Sequence, residues 1–372
     1  MKKLFLALFL FAFSFVNAQN PIQYLLVGTY TNSGKSEGIY VYRFNPNKNE
    51  STLMSVAKGV QNPSYLAISP DQKFVYAVNE NEGENGGDIS AFAFDKAKGE
   101  LKFLNKQPTQ GDNPAYVAID STGKNVIVAN YSGGNLAVFK TNADGSLQPA
   151  AQIIRHEGYG VNVERQEMPH PHSVNFSPDQ KFVFVPDLGN DRLYRYGFDA
   201  NAAEPVKILD PEYYTVPDGS GPRHMVFSPN GKFAYLLNEL SGTIIVYAYD
   251  NGTLTEIQTV GNPDPKGERG SADIHISNDG RFLYTSNRGT SNNIGMYKVA
   301  SDGKLAENGV QIVGQHPRNF MIDPSGRFLL VANRDSNNIQ IFIINRNFGI
   351  LQDTNVKIDV PQPVCLKMVP VK

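Results

Sequence analysis

The sequence predicts an all-β fold: a seven-bladed β-propeller with four antiparallel strands per blade, its ring closed by a blade shared between the N- and C-terminal segments. Three observations carry that expectation. A unit of about fifty residues recurs, and in each copy a Pro or its stand-in (Pro63, Pro114, Pro171, Pro222, Ser271, Pro317) stands sixteen residues before an Asn or Asp (Asn79, Asn130, Asp187, Asn238, Asn287, Asn333). Every such interval reads as apolar stretch, turn, apolar stretch, as in YLAISPDQKFVYAVN and HMVFSPNGKFAYLLN. The two chain ends carry the missing pieces of one further copy.

Before the repeats, Lys2 and Lys3 precede an apolar run from Leu4 to Val16 that ends in Val16-Asn17-Ala18. Small residues after a short apolar run read as a secretory signal peptide over residues 1–18. The remainder, 19–372, is expected to be a single propeller domain, exported to the periplasm or the extracellular space. The run falls short of the roughly 20 residues of a membrane span, so no membrane association is expected after cleavage.

Within each copy the residues alternate and are rich in Val, Ile, Phe and Tyr, while Asp, Asn, Gly and Pro fill the breaks; this is strand and hairpin chemistry. A third strand follows each hairpin, as in GDISAFAF, GNLAVFK and GTIIVYAY, and a fourth follows that, as in LKFLN or LTEIQTV. Four antiparallel strands in such a period make a propeller blade. Six copies are complete. The segments YLLVGTY, GIYVYRF and LMSVA supply strands two to four of a seventh, and QPVCLKMVP supplies its first. Joining the chain ends in one sheet removes the open edges that a row of blades would expose.

Thirty-four Lys and Arg against thirty-six Asp and Glu, with no basic run, exclude a nucleic-acid footprint. The one cysteine, Cys365, cannot form an intramolecular disulfide, and its apolar setting predicts a buried, inert thiol. Trp is absent, so a Trp-Asp propeller signature cannot be present.

A blade's inner strand starts at one rim of the ring and its second strand returns there, so both ends of the sixteen-residue interval share that rim. The inner strands open on Ser64 and Tyr65, Ala115 and Tyr116, His172 and Ser173, Arg223 and His224, Ala272 and Asp273, and Arg318 and Asn319; Glu80, Tyr131, Leu188, Glu239, Arg288 and Arg334 follow the recurrent Asn or Asp. Five of the six histidines, His170, His172, His224, His275 and His316, fall in or just before an inner strand. The recurrent Asn and Asp themselves are expected to bond their own turns. Cations facing one another around a narrow opening repel unless something anionic binds there. The candidate catalytic residues are therefore His172, Glu239, Arg223 and Arg288, and the candidate substrate-binding residues are His170, His224, His275, Arg318, Arg334 and Glu80. No metal and no cofactor is expected. The connection from Ile153 to Met168, with Arg155, His156, Glu157 and Arg165, is the longest between blades and is a candidate lid or wall.

The segments PHPHSVNFSPDQKFVFVPDLGNDRLYRY, GPRHMVFSPNGKFAYLLNEL and ADIHISNDGRFLYTSNR resemble the seven-bladed lactonase family, which includes propeller-type 6-phosphogluconolactonases and the fungal carboxymuconate cyclase. The similarity runs from Tyr24 to Val369. In the cyclase branch the proposed site uses a His, two Arg and a Glu, which the resemblance places at His172, Arg223, Arg288 and Glu239. It implies hydrolysis of a sugar-acid lactone, with a small anionic lactone as partner of a monomeric protein. In that reading His172, near its ordinary pKa of about 6.5, transfers protons, with Glu239 as orienting partner or alternative base. The arginines hold a carboxylate or phosphate and stabilise the oxyanion. One departure stands out: the family's 6-phosphogluconolactonases serve a cytoplasmic sugar-phosphate pathway, whereas this chain carries an export signal. Two rival readings are a metal-dependent lactonase using His170, His172, His275 and Glu239, and a non-catalytic propeller that binds a partner or glycan on its rim.

Overall fold

The computed structural model describes residues 21–83, 86–261 and 270–371. The segment expected to be a signal peptide lies outside the described residues. Those residues form 28 strands in seven four-stranded antiparallel sheets, each meandering from an inner to an outer strand. In blade 4 the strands are Pro222–Phe227, Phe233–Asn238, Ile244–Asp250 and Thr253–Val260. Blades are numbered here from the copy that opens at Pro63.

The sixteen-residue interval is the closure of a hairpin. Its two ends stand opposite each other as Cα partners in Pro114↔Asn130, Pro171↔Asp187, Pro222↔Asn238, Ser271↔Asn287 and Pro317↔Asn333. The recurrent Asn and Asp are structural, as expected of side chains that mimic backbone turns. Asn130 Nδ2 donates to Thr109 O and Asn135 Oδ1, and Asn287 Nδ2 donates to Asn293 Oδ1. A regularity not legible in the residue types accompanies them. Just before the opening residue, Asn62, Asn113, Gly221, Gly270, His316 and Gln362 all take a left-handed φ of 40–62°, which turns the incoming chain sharply down the channel.

The ring closes as the sequence predicts. Pro363–Pro370 pairs with Gln23–Thr29, in register from Gln23↔Pro370 to Gly28↔Cys365. Gly28 is required at this seam, since a Cβ there would lie 2.4 Å from the Pro63 carbonyl oxygen. Cys365 is fully buried, and burial pushes its thiol up to about 11, so it stays protonated and inert.

The core lies between neighbouring sheets rather than at the ring's centre. Phe44 meets Phe328 edge-on at 6.0 Å across the closing seam, and Tyr24 meets Phe94 at 5.3 Å on its other side. A tyrosine of the second strand also ties each of several blades to the next. Tyr76, Tyr235 and Tyr284 donate to the carbonyls of Gly145, Gly303 and Gly349 in the following blade's outer turn. Because the blades brace one another, polar side chains at the channel mouth need not contribute to the core.

Candidate functional site

A cavity of about 200 Å³ opens at the rim, lined by Glu80, Ala115, Tyr131, Arg165, His172, Arg223, Glu239, Arg288 and Arg318. Eight of these nine occupy one of two repeat positions: the first residue after the opening Pro or its stand-in, or the first after the recurrent Asn. The ninth, Arg165, reaches in from the long connection.

Glu239 is the electrostatic centre. Its carboxylate, 4 % exposed, takes Arg223 Nη1 on Oε2, and on Oε1 it takes Arg165 Nη2 at 2.7 Å and Arg288 Nη2 at 3.0 Å. Burial opposes its ionised form, but Arg288 and Arg223, helped by Arg165, outweigh that and hold the carboxyl well below its usual range. The backbone aims the guanidiniums: Arg223 Nε donates to Ala272 O and Arg288 Nε to Gly270 O, each at 2.8 Å. Across the cavity Arg318 lies 3.7 Å from Glu80, whose two oxygens also accept from Tyr30 Oη at 2.9 and 3.0 Å. Four guanidiniums thus face two carboxylates, so the chamber carries net positive charge.

His172 is buried between Tyr131 and His224, with ring centroids 5.3 Å from each. Burial, then the charges of Arg223 and His224, holds its pKa well below the ordinary value, so the imidazole is neutral. Its Nδ1 is buried without a hydrogen-bond partner among the described residues. Beneath it, His224 Nδ1 bonds Asp273 Oδ1 at 2.8 Å; burial outweighs this contact and lowers the His224 pKa to about 4. Asp273 Oδ2 accepts from Asn319 Nδ2 and lies 3.1 Å from His275 Nε2. With the Tyr65–Tyr116 stack at 4.1 Å, this layer plugs the channel. Below it is a second cavity, of about 510 Å³, lined by His275, Lys367 and mostly aliphatic residues.

The structure therefore brings together His172, Arg223, Glu239, Arg288, Arg318 and Glu80. Four other candidates lie outside the chamber lining. His275 stands three residues further along its strand than Ala272 and faces the second cavity. Arg334 turns onto Asp335 (2.6 and 3.0 Å) and does not line the chamber. His170 packs flat on Tyr131, its Nδ1 2.8 Å from Tyr131 O, and only backs the site. His224 lies a layer below. Glu239 does not orient His172; no hydrogen bond joins them among the described residues, because three arginines take its oxygens. The ligand set His170, His172, His275 and Glu239 is likewise not assembled, and no cluster of three metal-ligating side chains forms among the described residues.

Tyr131 and Arg165 are site residues that the candidate list omitted. Tyr131 occupies the same repeat position as Glu80, Glu239 and Arg288, and that signal was sufficient to find it. Arg165 sits on the long connection and is the residue of it that lines the chamber, its side chain 42 % exposed. His156, by contrast, turns inward and is buried between Asp187 Oδ2 (2.6 Å) and Tyr196 Oη (2.9 Å).

Residues 24–368 match the family model described as a lactonase, seven-bladed β-propeller. The chain is 39 % identical over 332 residues to a 6-phosphogluconolactonase of Formosa agariphila, covering 88 % of this chain and 94 % of that one. It is 36 % identical to a 6-phosphogluconolactonase of Bacillus subtilis, covering 92 % and 97 %. The solved structure of a periplasmic gluconolactonase of Pseudomonas aeruginosa superposes with a TM-score of 0.89 at 38 % identity, covering 94 % of this chain and 100 % of that one.

Proposed function

The chain belongs to the seven-bladed β-propeller lactonase family, and on that premise we propose that it hydrolyses the lactone of a sugar acid by general acid/base catalysis without a metal. The observation that carries this reading is a neutral, buried imidazole facing a chamber of guanidiniums. In that chamber a substrate carbonyl can meet a base and oxyanion donors together.

The lactone carbonyl lies toward Arg223, Arg288 and Arg318. His172 takes a proton from a water as its oxygen bonds to the carbonyl carbon, and negative charge moves onto the carbonyl oxygen. An imidazole with depressed proton affinity is a weak base in the empty site. The oxyanion that forms offsets the cationic field, however, so the affinity of His172 for its new proton rises as the reaction advances. Collapse of the tetrahedral intermediate breaks the ring C–O bond, and His172 returns the proton to the departing ring oxygen. The product acid ionises, and the guanidiniums hold its carboxylate. Glu239 acts as the permanent counter-ion that allows three arginines to stand side by side; a carboxylate so stabilised is not a proton acceptor at neutral pH.

Residues 1–18 support an exported, periplasmic or extracellular enzyme, as the periplasmic relative does. The test is acid release from phosphorylated and free sugar-acid lactones in a pH-stat, with and without EDTA. Hydrolysis above the spontaneous rate that survives EDTA is expected. Activity lost to EDTA and restored by a divalent ion favours the metal-dependent reading; binding of a glycan with no hydrolysis favours the non-catalytic one.

A further inference from the structure

The 200 Å³ chamber is not the whole of the concave surface at this rim. Through Glu80 and Tyr131 it continues into an open shelf of about 490 Å³, whose other lining residues are Asn32, Asn62, Asn81, Glu82, Asn113 and Ser132. The chemistry changes sharply across that boundary. The chamber carries four guanidiniums, whereas among the described residues the shelf lining has no Lys, Arg or His and two carboxylates.

The shelf floor is built from the left-handed residues that open blades 1 and 2. Asn62 (φ 40°) accepts from Thr31 N and Asn32 N on Oδ1 and donates from Nδ2 to Glu80 O and Asn81 Oδ1. Asn113 (φ 49°) donates from Nδ2 to Glu82 Oε2 at 2.8 Å and Ser132 Oγ at 3.0 Å. These bonds hold the floor in place and leave a mixed set of groups facing outward. Among the described residues, Asn113 Oδ1 and Glu82 Oε1 accept no hydrogen bond, and the Asn32 side-chain amide donates none. Tyr131, whose ring is stacked on one side by His170, lines both the shelf and the chamber.

A hydroxyl both donates and accepts, and an apolar sugar face packs on an aromatic ring, so this surface has the polarity of a carbohydrate subsite. A phosphate there would meet the Glu82 carboxylate, with no Lys, Arg or His among the described residues of the shelf lining. Resting on the lactonase reading, we propose that the shelf receives an uncharged, hydroxyl-rich extension of the lactone, a polyol tail or glycosyl unit, and discriminates against a phosphate in that place. Such selection works by repulsion as well as by fit. The substrate class is then an unphosphorylated aldonolactone, glycosylated or carrying a free hydroxylated tail.

The experiment compares kcat/KM for glucono-δ-lactone, its 6-phosphate ester and a 4-O-glycosyl glucono-δ-lactone, alongside calorimetric titration of the three corresponding aldonates. The glycosyl lactone is expected to exceed the phosphate ester by at least about tenfold, and Glu82→Lys to reduce that ratio by about tenfold. Asn32→Ala should weaken the glycosyl aldonate relative to the phosphorylated one. A wild-type preference for the phosphate ester, or a ratio that Glu82→Lys leaves unmoved, overturns the proposal. If none of the lactones is hydrolysed, it is the lactonase reading that fails. The aldonate titrations still decide the shelf, since tighter binding of the phosphorylated acid by wild-type protein overturns it without any turnover.

Discussion

Arg223 and Glu239 stand at the two ends of one hairpin, sixteen residues apart, and are joined as a buried ion pair by Arg223 Nη1 and Glu239 Oε2. The interval that builds the blade also sets the pair. Because Arg165 and Arg288 share the same carboxylate, removing its charge affects three cations at once.

Glu239→Gln should therefore act on stability before chemistry. An uncompensated buried charge typically costs about 3–5 kcal/mol, and urea unfolding of the variant should show a loss of that order. A stability within about 0.5 kcal/mol of wild type would mean that the guanidiniums find other partners.

Arg223→Lys keeps the charge and loses the fork. The guanidinium bonds Ala272 O through Nε and Glu239 through Nη1, and one ammonium cannot reproduce both directions. A fall in kcat/KM of about a hundredfold is expected, the usual magnitude for one oxyanion donor. Steady-state kinetics with an aldonolactone measures it.

Arg165 is the half-exposed member of the cluster, held by a connection rather than by a strand. Arg165→Ala should raise KM by about tenfold with kcat changed far less, since its contact to a polar oxygen of the substrate is made before as well as during reaction. Equal losses in kcat and kcat/KM would place it on the oxyanion instead.

The burial of His172 and His224 has consequences for pH. Both pKa values lie below the ordinary imidazole value, that of His224 at about 4, so the native protein binds fewer protons than the unfolded chain below about pH 6.5. Stability should fall as pH drops from about 6.5 toward 4, and thermal melts across that window measure it. Over the same window kcat/KM, with His172 already neutral, should lack the acidic limb that an unperturbed histidine near 6.5 would impose.

Much of this was legible because a repeat turns position into geometry. The two residues flanking each hairpin mouth account for His172, Arg223, Glu239, Arg288, Arg318 and Glu80, and would have yielded Tyr131. The misplacements have local causes. His275 lies beyond the first position of its strand, and a short displacement down the channel takes it past the Tyr65–Tyr116 layer into the other cavity. Arg334 has the right position, but its neighbour Asp335 offers a bidentate partner outside the chamber. Arg165 could not be found from the repeat, because it lies in no strand. The role of Glu239 was hidden for another reason: residue type alone does not say whether a carboxylate meets one cation or three.

Acid release from an aldonolactone, followed in a pH-stat for wild-type and His172→Ala proteins of equal thermal stability, reads out whether His172 is the proton-transfer group of a lactonase. Hydrolysis above the spontaneous rate is expected for wild type and a loss of about 10²–10⁴-fold for the variant. A His172→Ala protein that retains wild-type kcat/KM would contradict it.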